Sequence, residues 1–110
     1  MEIKPIFLLL IGVHLLYFGI KLSRKKKLRQ ALKENPLIID VRSEEEYKSG
    51  HYKNSINIPL PKLSQKMDDI QSKKEKIIVV CASGMRSGQA KRMLSKRGIS
   101  CINGGSWKSL

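Results

Sequence analysis

The hydrophobic segments of this chain differ in length, and the first is the longest. Residues 5–20 contain two polar side chains, His14 and Tyr17, and are bounded by Lys4 and Lys21. As a helix this run would be about 24 Å long, whereas the hydrocarbon core of a bilayer is about 30 Å thick. Lysine side chains at both ends can reach the headgroups by snorkelling, which makes up the difference. We therefore predict a membrane-spanning helix that contacts lipid through residues 5–22.

Two other interpretations of this run are a cleaved secretory signal and a core or interfacial helix. A signal requires small residues at the cleavage positions. The residues from Gly19 to Ser23 contain no small-x-small pair, and the basic residues that follow oppose translocation. The pattern therefore favours an anchor.

Beyond this segment, short apolar runs alternate with amphipathic ones. Strands are predicted at 37–41, 56–58, 77–80 and 99–102, and helices at 28–34, 43–50, 61–72 and 87–97. The first and third strands are apolar on both faces, which is typical of a parallel sheet covered by helices on both sides. The predicted fold class is α/β with a mainly parallel central sheet, formed by residues 28–110 and preceded by an anchor and basic collar at 1–27.

The distribution of charge predicts the orientation in the membrane. The chain has 22 basic and 9 acidic residues and a formal net charge of +13, and residues 21–33 hold seven cations and no acid. Basic residues that flank a span stay on the cytoplasmic side, so we expect a single-pass protein with its N-terminus outside and its soluble domain in the cytoplasm. The collar could instead bind nucleic acid, but attraction to anionic lipid explains it more simply, and no nucleic-acid partner is predicted.

The cysteine content excludes two structural classes. Cys81 and Cys101 could form one bridge at most, so a disulfide scaffold is excluded. Four nitrogen or sulfur ligands at finger spacing are also absent from the sequence, which excludes a cysteine-based structural zinc site. Neither a metal nor a cofactor is predicted.

The candidate chemistry lies directly after the most strand-like run. Ligands bind beyond the carboxyl ends of parallel strands, and Cys81 occupies that position. The helix start that follows would favour a thiolate, Gly84 permits a turn whose amides bind an anion, and Arg86 adds a positive charge. The alternative is a buried, inert cysteine at a strand end. The loop composition favours an activated nucleophile beside an anion site.

These residues resemble the rhodanese family of sulfurtransferases over about residues 28–110. The motifs, in chain order, are Asp40-Val41-Arg42 with Glu46-Tyr47, Gly50-His51 with Ile56-Asn57-Ile58-Pro59-Leu60, Ile78-Val79-Val80-Cys81-x-x-Gly84-x-Arg86-Ser87, and Gly104-Gly105-x-Trp107. The resemblance implies a small three-layer α/β fold and a persulfide carried on Cys81. Sulfur would move from thiosulfate or a protein persulfide to cyanide or a thiol.

The resemblance also implies roles for the loop residues. The substrate would be bound by Ala82, Ser83, Gly84, Met85, Arg86 and Ser87. The Cys-x4-Arg spacing is similar to that of rhodaneses, whereas the related cell-cycle phosphatases have Cys-x5-Arg to hold a larger phosphate. A phosphatase or arsenate reductase is thus a lesser alternative, and a non-catalytic rhodanese-like binding module at the membrane surface is the main one.

Other residues are expected to be structural. Asp40 and Arg42 are predicted to form a supporting ion pair beside the loop, and His51 to make a structural hydrogen bond. Cys101, in a predicted strand, and Trp107 are expected to pack in the core. Met67 and Met93 are expected to face the core from their helices.

Overall fold

The computed structural model describes residues 4–73 and 75–110. Its helices are α1 (Pro5–Leu32), α2 (Glu44–Lys48), α3 (Met67–Ser72) and α4 (Met85–Lys96), and its strands are β1 (Leu37–Asp40), β2 (Ile56–Asn57), β3 (Ile77–Cys81) and β4 (Ile102–Ser106). Two 3₁₀ helices cover Leu60–Lys66 and Trp107–Ser109.

The four strands form one parallel sheet in the order β2-β1-β3-β4. The chain adds β2 on one side of β1 and then returns to place β3 and β4 on the other side. The strand order therefore changes direction between β1 and β3, which is where ligands bind in open parallel sheets. The sequence prediction of an α/β fold with a parallel central sheet is confirmed.

Both faces of the sheet are buried, as the apolar strands predict. On one face Ile39 and Val79 pack in a cluster with Leu94 of α4 and with residues of α3. On the other face Ile78 packs in a cluster with Ala31, at the end of α1. Because the end of α1 covers this face, the last turns of the N-terminal helix pack as part of the α/β fold.

The N-terminal helix is continuous over 28 residues, from the apolar run through the basic collar. Its most apolar 18-residue window has a mean hydropathy of 2.0 and is not buried against the rest of the protein. By length and composition this helix is able to cross a membrane. A signal sequence or a soluble core helix has similar length and composition, so these properties agree with the predicted anchor without distinguishing it from them.

The prediction of one α-helix between Pro61 and Ser72 is wrong. The segment begins as a 3₁₀ helix and becomes α-helical at Met67. At the junction Lys66 has φ −106° and ψ 2°, which lies outside the α-helical region. Leu63 and Ile70, on either side of this junction, are buried in the same cluster.

The prediction of a last strand at 99–102 is also wrong, because these residues first complete the end of α4. Gly98 has φ +75° and its amide donates to the Ser95 carbonyl, while the amide of Ile99 donates to the Leu94 carbonyl. These two hydrogen bonds form a Schellman cap, in which Gly98 is the C′ residue. The strand therefore begins three residues later than expected, at Ile102.

Candidate active site

Cys81 lies at the carboxyl end of β3, at the point where the strand order reverses. Its neighbours are β1, where Asp40 pairs with Val80, and β4, where Ser106 pairs with Cys81 itself. Cys81 is fully buried, with 0% of its surface exposed. The sheet thus places the thiol at the ligand-binding edge, under the loop that leads into α4.

The loop folds back over the thiol through Gly84. This residue has φ +98°, in the left-handed region, and is the N-cap of α4. Its amide donates a hydrogen bond to the Cys81 sulfur at 2.9 Å. A Cβ at this position would approach the backbone of Gly105 to 3.3 Å. Both the backbone angle and the close approach therefore favour glycine.

The environment of the loop favours the thiolate of Cys81. Burial raises the pKa of the thiol, but hydrogen bonds from the Ser87 hydroxyl and from the amides of Ser87, Gly84 and Ser83 lower it by more. The pKa of Cys81 is therefore below its ordinary value. Stabilisation of a negative charge on sulfur by several donors is what an activated nucleophile requires.

The Ser87 hydroxyl couples the thiol to Asn103. It lies 3.4 Å from the Cys81 sulfur and donates to the Asn103 side-chain oxygen at 2.7 Å. A serine hydroxyl has a single hydrogen, so when it bonds to Asn103 the thiol is the donor towards Ser87. Ionisation of the thiol then requires the hydroxyl to turn towards sulfur. The Asn103 oxygen keeps a second donor in this state, the amide of Gly105 at 2.9 Å.

Arg86 is held by a carboxylate from another element. Its guanidinium donates to both oxygens of Glu46 at 2.6 and 2.9 Å. Glu46 also completes the capping box of α2, whose N-cap is Ser43. The Arg86 hydrogen bonds lower the pKa of Glu46 to about 2, and the same pair raises the pKa of Arg86. The Arg86 guanidinium, which the resemblance assigns to substrate binding, is thus already bound to a protein carboxylate in this structure.

The predicted ion pair of Asp40 and Arg42 is present and buried. Asp40 is 0% and Arg42 is 4% exposed, and the closest distance between their charged atoms is 2.7 Å. Arg42 also donates to the carbonyls of Glu46 and Gly50 and lies over the Trp107 ring, 4.7 Å from its centroid. This pair joins the end of β1 to α2 and to the C-terminal turn, and so supports the carboxylate that holds Arg86.

The other loop residues present few side chains towards sulfur. Ala82 and Ser83 are exposed, and Met85 is exposed over 80% of its surface. A binding role for these three positions stays a prediction. Ser83 contributes a backbone amide towards the thiol.

Two positions outside the loop, His51 and Cys101, bear on the structural predictions. His51 bonds to the Tyr47 carbonyl at 2.8 Å, in agreement with a structural role. Cys101 precedes β4 instead of lying within it, and it is half-buried against the core. Burial raises the pKa of its thiol, in contrast to that of Cys81.

Sequence reasoning missed the functional placement of Glu46 and Asn103. Glu46 stands in the first motif of the family resemblance, but its pairing with Arg86 spans 40 residues of sequence. Asn103 stands before two glycines and shows no local signal. Its place becomes clear only once β4 lies beside β3.

We expect Ser87→Ala to raise the pKa of Cys81, because a hydrogen bond from the Ser87 hydroxyl to the sulfur lowers it. A lowered pKa keeps the thiolate present at lower pH, so loss of this donor should move the midpoint of iodoacetamide alkylation to higher pH. The rate is measured against pH, with Cys101→Ser as the background. Ser83→Ala retains its amide and should leave the midpoint in place. An unchanged midpoint in Ser87→Ala would show that the amides are sufficient.

The fold and the loop together define an α/β domain with a buried cysteine at the end of β3, under a turn whose Gly84 amide donates to the sulfur. A family model described as the rhodanese-like domain matches residues 24–108. This match covers most of the chain, and the protein belongs to the rhodanese-like domain family.

Comparison with known proteins gives relatives in two bacteria. The chain is 36% identical over 74 residues to the thiosulfate sulfurtransferase PspE of Escherichia coli, covering 66% of this chain and 71% of that protein. It is 37% identical over 65 residues to the uncharacterised protein YqhL of Bacillus subtilis, covering 59% of this chain and 51% of that protein. A solved rhodanese from E. coli, with anions, superposes with a TM-score of 0.62 at 36% identity, covering 67% of this chain and 89% of that one. The thiosulfate sulfurtransferase and the solved rhodanese support a sulfurtransferase function.

Proposed function

We propose that this protein is a membrane-anchored sulfurtransferase that carries a persulfide on Cys81. The observation that carries the proposal is the donor set around the sulfur: the Gly84 amide at 2.9 Å and the hydroxyl and amide of Ser87. These groups stabilise a thiolate and, equally, the anionic terminal sulfur of a persulfide. The Cys-x4-Arg spacing supports sulfur over phosphate as the transferred group.

The proposed cycle needs no external oxidant or reductant. The Cys81 thiolate attacks the outer sulfur of thiosulfate, a sulfur–sulfur bond forms, and sulfite leaves with the electron pair of the bond that breaks. Cyanide or a thiolate then attacks the terminal sulfur, and the thiolate of Cys81 is regenerated as the leaving group. A protein persulfide could replace thiosulfate as the donor, with a thiolate leaving in place of sulfite.

The persulfide is tested by mass spectrometry of the protein after incubation with thiosulfate. We expect a gain of one sulfur atom that maps to the peptide containing Cys81 and disappears on addition of cyanide. Cys101 is the internal control, since its raised pKa disfavours the thiolate. A modification that maps to Cys101, or no modification at all, would contradict the assignment.

A non-catalytic binding module is the second candidate function, and complete burial of Cys81 favours it. A buried thiol cannot meet a donor unless the loop opens. A cleft of about 420 Å³ lies on one side of the loop, beside Ala82 and Trp107. We assign the approach of the donor to this cleft, and failure to form a persulfide on intact protein would leave the binding module as the better account.

We further propose that α1 anchors the domain, with the N-terminus outside and the domain in the cytoplasm. The full chain should fractionate with membranes and resist extraction by high salt and by carbonate. Residues 28–110 alone should be soluble and active, since this cut keeps the α1 residues that pack on the sheet, Leu28 and Ala31. Release by salt would show that α1 does not span. Protection of the C-terminus from protease added at the cytoplasmic face would show that the orientation is reversed.

A further inference from the structure

The direction of α1 fixes which edge of the sheet faces its apolar half. Four residues separate the end of α1 from the start of β1. Leu28 and Ala31 pack in one cluster with Ile78 and Val80 of β3. The helix therefore runs antiparallel to the strands, and its N-terminal part leaves the domain past their carboxyl ends. The apolar half of α1 thus projects from the same edge that holds Cys81.

A cleft separates α1 from this edge. It has a volume of about 980 Å³ and runs between residues 17–28 of the helix and the loop residues 83–85, the start of α4 and the residues 102–105. Tyr17 and Ile20 line it on the apolar side. Met85, also in the lining, is 80% exposed. The end of the cleft at the apolar half of α1 therefore combines an aromatic residue with exposed apolar side chains, a combination typical of membrane interfaces.

The walls of the cleft carry positive charge on both sides. The cations in its lining are Lys21, Arg24, Lys25 and Lys27 of α1 and Lys91 and Arg92 of α4. No acidic side chain lines the cleft among the described residues, and none of these six cations forms an ion pair with the described part of the chain. Like charges on facing walls repel each other, and an anion between them would relieve that repulsion.

We propose that this cleft binds the phosphate of an anionic phospholipid headgroup and thereby holds the Cys81 edge of the domain against the bilayer. The occupant follows from the position of the cleft. A phosphate at the level of Lys21 and Arg24 lies where a spanning helix meets the headgroups, while Tyr17 and Ile20 lie at the level of the upper acyl chain. The inference rests on the proposed anchor. To the anchor, the inference adds an orientation of the domain and a role for α4, which is more than 60 residues distant from the span in sequence.

This orientation restricts how sulfur arrives and leaves. The loop over Cys81 forms one wall of this cleft, while the 420 Å³ cleft assigned to the sulfur donor lies beside Ala82 of the same loop. If this edge faces the bilayer, donors and acceptors reach the smaller cleft through the layer next to the membrane surface. A partner that is itself held at the bilayer meets the loop directly. A soluble anion must first enter the headgroup layer, where the six cations raise its local concentration.

The single tryptophan of the chain is a native probe of this orientation. Trp107 directly follows β4, beside Cys81, and therefore reports on the edge of interest. The full chain is reconstituted in phosphatidylcholine vesicles with increasing fractions of phosphatidylglycerol, and quenching by a lipid with a nitroxide headgroup is measured. We expect quenching of Trp107 to increase with phosphatidylglycerol. A tryptophan at the opposite edge, Lys76→Trp in a Trp107→Phe background, should remain weakly quenched.

Charge variants separate the cleft from general attraction to the surface. Each cation near an anionic surface contributes a factor of about five in binding. We therefore expect Lys91→Gln with Arg92→Gln to raise the phosphatidylglycerol fraction for half-maximal quenching at least about fivefold. Lys66→Gln with Lys73→Gln makes the same change of charge outside the cleft and should shift it little.

Four results would overturn the inference. Equal shifts in the two double variants would mean that only net charge acts. Unquenched Trp107 in a chain that resists carbonate extraction would reject the orientation while leaving the anchor intact. Extraction by carbonate would reject the anchor and the orientation together. The sulfurtransferase activity would be unaffected by this result, because it is tested by a separate assay of sulfur transfer. Equal quenching in pure phosphatidylcholine vesicles with added inorganic phosphate would assign the cleft to a soluble anion.

Discussion

Cys81→Ser is expected to reduce transfer of sulfur from thiosulfate to cyanide to below about a thousandth of the wild-type rate. A serine hydroxyl at this position is not ionised at neutral pH and cannot hold sulfur as a persulfide. The serine is also close in size to cysteine, so the fold should survive. The measurement is the rate of thiocyanate formation by the full chain in detergent.

Cys101→Ser is the matched control for this variant. It removes the second thiol of the chain, which is half-buried and whose pKa is raised, and it should retain activity. Substantial thiocyanate formation by Cys81→Ser, or its loss in Cys101→Ser, would contradict the role assigned to Cys81.

Asp40→Asn is expected to lower the free energy of unfolding by about 3–5 kcal/mol, far more than substitution of an exposed ion-pair residue. The change removes the charge that compensates Arg42 while leaving that guanidinium 4% exposed beneath the loop. A buried charge without its partner retains the full cost of removal from water. Chemical denaturation followed by circular dichroism measures the free energy of unfolding. Activity should also fall, because Arg42 supports the backbone of α2 around Glu46.

The control for this variant is Asp68→Asn, which breaks an exposed ion pair. Asp68 bonds to Arg97 at 2.7 Å, but its side chain is 91% exposed. Exposed pairs contribute at most about 1 kcal/mol, so this variant should resemble the wild type. Similar decreases in the free energy of unfolding for the two variants would show that burial of the Asp40–Arg42 pair does not add to its contribution to stability.

Local patterns were sufficient for much of the fold. The apolar runs at β1 and β3 required a sheet buried on both faces, and Gly98 marked the end of α4. The order of the motifs indicated the family. Cys81 was identified as the candidate nucleophile because a cysteine after a buried strand and before a helix start lies at the ligand-binding edge wherever the parallel sheet forms.

The tertiary structure decided the features that depend on distant contacts. Glycines 104 and 105 follow the predicted strand at 99–102 but lie within the observed strand β4. A Cβ at Gly104 would approach side-chain atoms of Ile78 and Val80 to 2.9 Å, so the packing of β4 against β3 requires glycine at this position. A sequence pattern shows that a residue is glycine but not which neighbour requires it.

The charges around the site likewise divide into features visible in the sequence and features that depend on the fold. The sequence by itself determined that Arg86 stands five residues after the candidate nucleophile, Cys81, and that a basic collar follows an apolar run. Only the fold decided that Arg86 binds Glu46 and that the collar faces α4 across a cleft beside the loop. The physical reason is that spacing along the chain determines local geometry, whereas the partner of a charge is determined by which elements the buried sheet brings together.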